Sequence, residues 1–405
     1  MPDGPAARAL APRVALLLLT AIYTVNFIDR QIITIVAAPV RDEFSLDNFQ
    51  FGLLGGFAFA LFYSLLGLPI ARLADRGDRV RLLAVSCAMW SVMTAACGAA
   101  TSFAQLLVAR MLVGVGEAAC TPASHSLISD FFAQEKRPRA LAVFALGIPL
   151  GTLAGLALGG AAANAAGWRG AFFIAAVPGL ALALALFALV RDPTRPGRIL
   201  TPRASGEPTK VANLIGNRTF RRLCGGAAVA SMSGYGLVVF LGLYFKDRYG
   251  LSLPQIGLGL GLAIGVGGAL GVYAGGAFHD RFRNSRFGPY VSSAAGLLFA
   301  AFVLLVALAI DNALASFIAF AFVAAFNAFW YGPVFAGVQA AAPEQHRASA
   351  AAMLNLIVNL VGLGLGPPFL GFIADRAGSS IGLDAAIAAC AFINIGAAAI
   401  LLRVR

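Results

Sequence analysis

Charged residues are scarce in this sequence. Asp, Glu, Lys and Arg make up 12% of its 405 residues, about half of the roughly 25% that is typical of soluble domains. Mean hydropathy is correspondingly high, at +0.83. This composition excludes a water-soluble globular enzyme, because such a chain could not cover its surface with polar groups. The sequence therefore predicts a protein that lies in a lipid bilayer.

Close pairs of metal ligands and an even set of disulfide partners are also lacking. The cysteines all lie inside apolar stretches, without the spacing of a metal site. They are Cys87, Cys97, Cys120, Cys224 and Cys390. We interpret them as small core residues, and we expect neither a metal nor a cofactor.

Enzymatic signatures are absent or incomplete. An ATP-driven pump needs the phosphate-binding loop G-x-x-x-x-G-K-[ST], and the sequence contains no Gly-Lys pair. His125 and Asp130 match the H-x4-D spacing of lipid acyltransferases. On a continuous helix, however, residues five apart point about 140° apart and cannot form a His-Asp dyad. We expect no enzyme, and a membrane-embedded acyltransferase is only a distant alternative.

Apolar residues are abundant instead. They make up 60% of the sequence, close to what twelve spanning helices of roughly 20 residues require. The sequence predicts an all-α integral membrane protein with twelve transmembrane helices. Their expected positions are 14–38, 49–70, 82–101, 104–129, 140–162, 171–190, 223–245, 256–278, 288–310, 313–340, 348–374 and 384–402. The first apolar run is too long, and too polar at its end, for a cleaved signal peptide.

Basic residues are distributed unevenly between the predicted loops. The termini and the loops on their side of the membrane hold 23 of the 30 Lys and Arg residues, and the opposite loops hold five. Cytoplasmic loops of membrane proteins carry such an excess. We therefore expect both termini in the cytoplasm. The net charge of +12 is then mainly an orientation signal, and we expect no nucleic-acid partner.

The two halves of the chain repeat one another. Asp75-Arg76 after the second span recurs as Asp280-Arg281 after the eighth, 205 residues later. Such a repeat predicts two pseudo-symmetric six-helix bundles, as in many transporters. The predicted domains are an N-terminal bundle over 1–190, a basic cytoplasmic linker over 191–222 and a C-terminal bundle over 223–405.

Two motifs resemble a known superfamily. Asp75, Arg76 and Arg79 lie in the run A-R-L-A-D-R-G-D-R-V-R, which resembles the loop signature G-x-x-x-D-R-x-G-R-K of the major facilitator superfamily. Arg110 begins the run R-M-L-V-G-V-G in the fourth span, which is similar to the R-x-x-x-G-x-G motif of that superfamily. The resemblance implies a twelve-helix transporter in which the second, fifth, eighth and eleventh spans meet between the bundles.

A narrower resemblance is to the Spinster family. That family places an N-[YF]-x-D-R element in its first span, and this chain has N-F-I-D-R from Asn26 to Arg30. Glu117, the run S-L-I-S-D-F-F from Ser126 and the run E-K-R-P-R-A from Glu135 are also similar to that family. The resemblance implies transport of lysolipids or sphingoid lipids, often linked to protons.

Four ionisable residues lie well inside predicted spans, and an Asp or Arg at a helix centre costs about 2.5 to 3.5 kcal/mol to insert. We predict that Asp29 and Glu117 carry a coupling proton, because movement of a nearby arginine can switch the protonation of a carboxyl group. Arg30, Arg110 and Asn26 are then the residues that tune the charge or bind substrate. Asp29 and Arg30 point about 100° apart, so at most one faces the fourth span. The alternative is a static charge network.

Charged pairs at helix ends are easily hydrated, so we assign them a structural role. We expect them to form a latch between the bundles in the outward-open conformation. The latch residues are Asp75, Arg76, Arg79, Asp280 and Arg281.

Polar and aromatic side chains cluster in the second half at i+3 or i+4 spacing, which places each cluster on one helix face. They could hydrogen-bond the head group of a substrate from one wall of a cavity. With one histidine from the first half, the candidates are His125, Asn327, Trp330, Tyr331, Asn355 and Asn359. The alternative is that the amides bridge neighbouring helices.

Glycines recur every four residues in four stripes. The stripes are 147, 151, 155 and 159; 257, 261 and 265; 267, 271 and 275; and 362 and 366. Such stripes allow helices to approach closely. Sliding surfaces between the bundles and ordinary packing within a bundle are both open interpretations.

The predicted function is proton-coupled secondary transport by alternating access, for an amphiphilic lipid-like substrate such as a lysolipid or a sphingoid phosphate. An efflux transporter or a uniporter for other small hydrophobic or organic-ion substrates is the alternative. The repeat with charges at mid-membrane disfavours a channel. We expect the substrate, protons and membrane lipids as partners, a monomer, and a bacterial inner (plasma) membrane as the location.

Overall fold

The computed structural model describes the chain in five ranges: 12–193, 216–282, 284–285, 287–343 and 346–404. These ranges contain twelve long helices, α1 to α12, and a short helix Ala37–Phe44 after α1. Ten helical segments in them are long and apolar enough to cross a membrane. One of these, Arg137–Leu189, contains two helices, and Val291–Ala307 is slightly shorter than the rest. The predicted all-α fold with twelve transmembrane helices is confirmed.

The first six helices form the N-terminal half. They are α1 (Pro12–Ile35), α2 (Asn48–Gly52, Leu53–Phe57 and Ala58–Arg76 in succession), α3 (Arg79–Ala99), α4 (Phe103–Glu117 and Cys120–Phe131), α5 and α6. The last two begin with Arg137–Ala145 and continue through Gly147–Leu189. Gly167 separates α5 from α6, because its φ of 72° interrupts the helix and is rarely adopted by a residue with a Cβ.

The last six helices form the C-terminal half. They are α7 (Arg218–Tyr249), α8 (Leu253–Leu260, Gly261–Val266 and Gly267–Phe282), α9 (Val291–Ala307), α10 (Ala313–Asn327 and Tyr331–Ala340), α11 (Arg347–Ile357, Val358–Leu363 and Gly364–Ala377) and α12 (Gly382–Leu402). Helix α7 begins inside the predicted linker, of which residues 194–215 lie outside the described ranges.

A π-helical turn interrupts α2, α8 and α11, at Leu53–Phe57, Gly261–Val266 and Val358–Leu363. Such a turn adds a residue and rotates the rest of the helix about its axis. In α8 the stripe of Gly257, Gly261 and Gly265 lies against α5 of the other half, whereas the stripe of Gly267, Gly271 and Gly275 lies against α10. The two stripes therefore face different neighbours.

The other glycine stripes pack within one half. Glycines 147 to 159 of α5 lie against α1, and glycines 362 and 366 of α11 lie against α7. The sliding-surface interpretation therefore fails for these stripes, which allow close helix packing inside a bundle. Only the stripe from 257 to 265 lies between the halves.

The start of α1 and the end of α12 lie on one face of the helix array, because twelve spans are an even number. We call this face the terminal face and the opposite one the distal face. Near the distal face the two halves share one apolar core, which includes Phe51 of α2 and Leu370 of α11. Near the terminal face the C-terminal half has its own core, which includes Leu223 of α7 and Leu401 of α12. The molecule is thus closed at its distal face.

Large apolar side chains cover the outside of the helix array. Leu184 and Phe187 of α6 are 69% and 59% exposed, and Phe302 of α9 and Phe392 of α12 are 63% and 68% exposed. In water such a surface would be unfavourable, whereas lipid tails solvate it.

Candidate functional site

An ion pair inside the N-terminal half joins α1 to α4. The Nε atom of Arg30 donates to Oε2 of Glu117 at 2.6 Å. The Glu117 side chain is fully buried, whereas that of Arg30 is 16% exposed. The Arg30 side chain therefore faces α4, whereas the Asp29 carboxyl group faces Thr94 and Trp90 of α3. The pair offsets part of the desolvation cost that each charge would bear alone.

Three aromatic rings surround the Arg30 guanidinium. Its Cζ atom lies 4.8 Å from the ring centroid of Phe27, 4.6 Å from that of Phe59 and 4.7 Å from that of Tyr63. Each contact of this kind stabilises a cation by about 0.5 to 2 kcal/mol. Because Phe59 and Tyr63 belong to α2, three helices fix the position of Arg30.

Arg110 lies two turns before Glu117 on α4 and is 2% exposed. Its Nη1 atom is 3.5 Å from the backbone oxygen of Asp29, and its Cζ atom is 5.7 Å from the ring centroid of Phe59. Within the described ranges, Arg110 forms no ion pair with a carboxylate. It therefore places a positive charge against the main chain of α1.

Asp29 is fully buried, and within the described ranges neither of its carboxylate oxygens has a hydrogen-bond partner. Thr94 and Trp90 of α3 face this carboxyl group. Their polar atoms, Oγ1 and Nε1, also have no partner in that part of the chain. Buried polar groups normally form hydrogen bonds, so this cluster has capacity for a proton or water.

Asn26 lies one turn before Arg30 on α1 and faces Glu117. Both of its amide atoms, and the Oε1 atom of Glu117, are buried without a hydrogen-bond partner among the described residues. The predicted residues Asn26, Asp29, Arg30, Arg110 and Glu117 are thus brought together in one polar cluster in the N-terminal half.

Tyrosines from both halves gather around Arg30. Tyr23 and Tyr63 lie in the N-terminal half, and Tyr235 of α7 lies close to Arg30 and Tyr63. Tyr331 of α10, which is 39% exposed, lies close to the other three tyrosines. Sequence reasoning identified only Tyr331, because the others stand alone in apolar runs without a spacing signal.

The remaining cavity candidates from the C-terminal half lie in two places. Asn327 is 9% exposed, and its Nδ2 atom lies beside Gly234 of α7. Trp330 is buried, with its ring centroid 4.9 Å from that of Tyr331. Trp330 thus adjoins the tyrosine cluster through Tyr331, and the substrate wall stays a prediction.

Asn355 and Asn359 bond along their own helix. The Nδ2 atom of Asn359 donates to the backbone oxygen of Asn355 at 2.8 Å, where α11 enters its π-helical turn. His125 of α4 lies on the other half, with its ring centroid 5.4 Å from that of Phe144. Among the described residues, these three form no hydrogen bond with the cluster around Arg30.

Arg79 joins α3 to α4 and to the chain after α6 at the terminal face of the N-terminal half. Its Nη1 atom donates to Ser126 Oγ at 2.8 Å and to Asp130 Oδ2 at 2.7 Å. Its Nη2 and Nε atoms donate to Asp192 at 2.6 Å and 3.1 Å. Asp130 thus binds Arg79, and α3, α4 and the chain after α6 are held together.

The structure describes the side chains of only some of the other latch candidates. Asp280 and Arg281 are exposed at the end of α8, on the terminal face. The side chains of Asp75 and Arg76 lie outside the described part of the structure. All partners of Arg79 named above belong to its own half. The latch between the halves stays a prediction.

Comparisons with known proteins agree with this architecture. The model of the Major Facilitator Superfamily matches residues 19–367. An MFS-type efflux pump of Mycolicibacterium smegmatis (strain ATCC 700084 / mc(2)155) is 31% identical over 374 residues, which cover 91% of this chain and 85% of that protein. The protein spinster of Drosophila melanogaster is 33% identical over 172 residues, 42% of this chain and 28% of that protein.

A solved structure extends the second likeness to the whole chain. It is a bacterial homologue of the human lysosomal transporter Spinster, in an inward-facing and unoccupied conformation. It superimposes with a TM-score of 0.87 at 29% identity, covering 97% of this chain and 96% of that one. The chain therefore belongs to the Major Facilitator Superfamily and is a Spinster-like transporter, not an enzyme.

Proposed function

We propose that this chain is a proton-coupled secondary transporter that works by alternating access and moves an amphiphilic, lipid-like anion or zwitterion. The observation that carries the proposal is the ion pair of the partly exposed Arg30 with the fully buried Glu117. A proton on Glu117 removes the partner of Arg30, and an anionic head group can replace it. Proton and substrate would then act on the same guanidinium.

Asp29 provides a second place for the coupling proton. An unpaired carboxylate buried in a membrane is costly, whereas a neutral carboxyl group is tolerated. Its oxygens have no hydrogen-bond partner among the described residues, which fits a group that gains and loses a proton. When Asp29 and Glu117 are both neutral, an intermediate whose cavity is closed to water on both sides costs less free energy. The two halves can then pass through this intermediate from one open conformation to the other.

The closed distal face supports alternating access. The halves share a core there and have separate cores at the terminal face. If the termini are cytoplasmic, as the basic loops indicate, this is an inward-facing conformation in a bacterial inner membrane. The solved Spinster homologue adopts an inward-facing conformation as well. Transport requires a second conformation in which the distal contacts open.

The surroundings of Arg30 suit an amphiphile with a negatively charged head. The guanidinium and the nearby tyrosine hydroxyls can donate hydrogen bonds to a phosphate or carboxylate. Tyr331 stacks on Phe335 with ring centroids 4.9 Å apart, and this aromatic surface can contact an apolar tail. A lysolipid or a sphingoid phosphate combines both features.

A second candidate is efflux of other small hydrophobic or organic ions. It is favoured by the similarity to the MFS-type efflux pump, which extends over 91% of this chain. A cationic substrate would not need Arg30 for binding, whereas an anionic amphiphile would. The charge of the transported molecule therefore separates the two candidates.

Flux in proteoliposomes with and without an imposed pH gradient tests the proposal. We expect accumulation of lysolipids or sphingoid phosphates that depends on the gradient and is lost in Arg30→Ala. Transport of lipophilic cations that survives Arg30→Ala would support the efflux candidate instead. Downhill flux of the amphiphile without any response to pH would identify a uniporter and overturn the proton coupling.

A further inference from the structure

A carboxylate of the C-terminal half caps a helix of the N-terminal half at the distal face. Oδ1 of Asp375, near the end of α11, accepts from the backbone N–H of Asn48 at 3.0 Å and from Asn48 Nδ2 at 2.7 Å. Oδ2 of Asp375 accepts from the backbone N–H of Phe49 at 2.9 Å. These atoms belong to the first turn of α2, whose N–H groups have no partner within the helix.

The first turn of α2 therefore has two capping carboxylates from different halves. Asp47 immediately precedes the helix and accepts from the backbone N–H of Gln50 at 2.6 Å. Asp375 accepts from the backbone N–H groups of Asn48 and Phe49, the two residues before Gln50. Asp47 stays with α2 in any conformation, whereas the contacts of Asp375 exist only while the halves touch. The helix start favours negative charge, so both carboxylates are well placed.

Close backbone packing aligns Asp375 with this helix start. Gly371, one turn before Asp375 on α11, lies so close to the backbone of Asn48 that a Cβ there would collide with it. Gly52 of α2 contacts the backbone of Pro367 in the same manner. An ion pair also crosses the distal face, where Lys246 Nζ lies 4.0 Å from Asp42 Oδ2 and both side chains are exposed. Such a pair contributes little.

We propose that Asp375 is a positioning residue for transport: its carboxylate holds the distal face closed by capping α2, and release of the cap accompanies distal opening. This inference uses the alternating access proposed above but not its proton or its substrate. Hydrogen bonds to a charged group are the stronger ones, so loss of the carboxylate should raise the population of the distal-open conformation about tenfold.

Thiol labelling of a single introduced cysteine measures that population. Val239 of α7 is 3% exposed and lies against Gly55 of α2, so Val239→Cys is covered while the distal face is closed. The five natural cysteines are buried and give the background rate. The full chain in nanodiscs is labelled with a water-soluble maleimide, without substrate. We expect Asp375→Ala to raise the labelling rate about tenfold and Asp375→Asn to raise it less, since the amide keeps one acceptor oxygen.

Asp47→Ala is the matched control, because it removes a cap of the same helix from within one half. We expect its labelling rate to equal that of the parent. A rate for Asp375→Ala and Asp375→Asn that is indistinguishable from the parent overturns the inference. An equal rise in Asp47→Ala also overturns it, because fraying of α2 would then explain the exposure. A failure of pH-driven flux leaves this labelling result unchanged and bears only on the proposed coupling.

Discussion

The partly exposed Arg30 and the fully buried Glu117 are joined by a single 2.6 Å hydrogen bond, although Glu117 has a second carboxylate oxygen without a partner among the described residues. A bidentate pair would bind the arginine more firmly. The aromatic rings of α1 and α2 hold the guanidinium in place instead. Arg30 can therefore lose its carboxylate partner without losing its position.

Glu117→Gln is expected to remove accumulation driven by a pH gradient while leaving downhill exchange measurable. The amide imitates the protonated acid and keeps its size, but it cannot release a proton. Substrate flux in proteoliposomes with and without the gradient measures both activities. Glu135→Gln is the control, because Glu135 is an exposed carboxylate outside this cluster. Gradient-driven accumulation by Glu117→Gln would place the proton elsewhere.

Asp29→Asn is expected to abolish coupled transport without loss of thermal stability. The amide keeps the size of the acid and one acceptor oxygen for Thr94 and Trp90 of α3, but it removes a buried titratable group. Thermal unfolding in detergent and coupled flux are measured on the same sample. A protein that unfolds at much lower temperature would show that the Asp29 carboxylate has a structural partner, contrary to this prediction.

Arg110→Ala is expected to abolish transport while the protein still inserts and folds. The variant removes a buried positive charge that lies 3.5 Å from the main chain of α1 beside Asp29. The balance of charge around the carboxyl groups would then change. Flux is compared with the amount of monodisperse protein recovered. Flux close to that of the parent would exclude the predicted role.

Tyr63 is expected to act mainly through its ring. Tyr63→Phe keeps the cation–π contact with Arg30, whereas Tyr63→Ala removes it, at a cost of about 0.5 to 2 kcal/mol. We therefore expect weaker substrate binding in Tyr63→Ala than in Tyr63→Phe, as measured by the concentration that gives half-maximal flux. Equal defects in both variants would assign the effect to the hydroxyl group.

Arg79→Ala is expected to destabilise the N-terminal half by about 3 kcal/mol, because it removes the buried cation that binds Asp192 and Asp130. The Arg79 side chain is 7% exposed, so water compensates little of this loss. Thermal unfolding in detergent provides the measurement. Arg81→Ala is the control, since Arg81 pairs with Asp78 on the surface. Equal stability of the two variants would contradict the prediction.

The number of helices was predictable because lipid requires long apolar runs. The ends of the helices were less predictable than their number. Helix α7 runs over Arg218–Tyr249, beyond the predicted 223–245, because polar residues continue the helix past its apolar centre. The glycine stripes of α8 illustrate another limit. A regular period of 3.6 residues does not reveal a π-helical turn, so sequence alone could not assign the two stripes to different neighbours.

The candidate site was predictable where charge is unusual for its surroundings. Buried ionisable residues stand out in an apolar span, which is how Asp29, Arg30 and Glu117 were identified. Asp375 did not stand out, because a carboxylate at a helix end is common. Its partner Asn48 lies 327 positions away, and no local spacing connects them.

The two halves differ in the charge of their buried side chains. Buried charged residues among the described positions (Asp29, Arg79, Arg110 and Glu117) all belong to the N-terminal half, whereas buried polar side chains of the C-terminal half are serines and asparagines. An exchange of one neutral side chain for another there alters shape and hydrogen bonding but leaves the electrostatic balance intact. Under the proposed function, cargo selectivity can therefore change in the C-terminal half without any change to the buried charges of the N-terminal half.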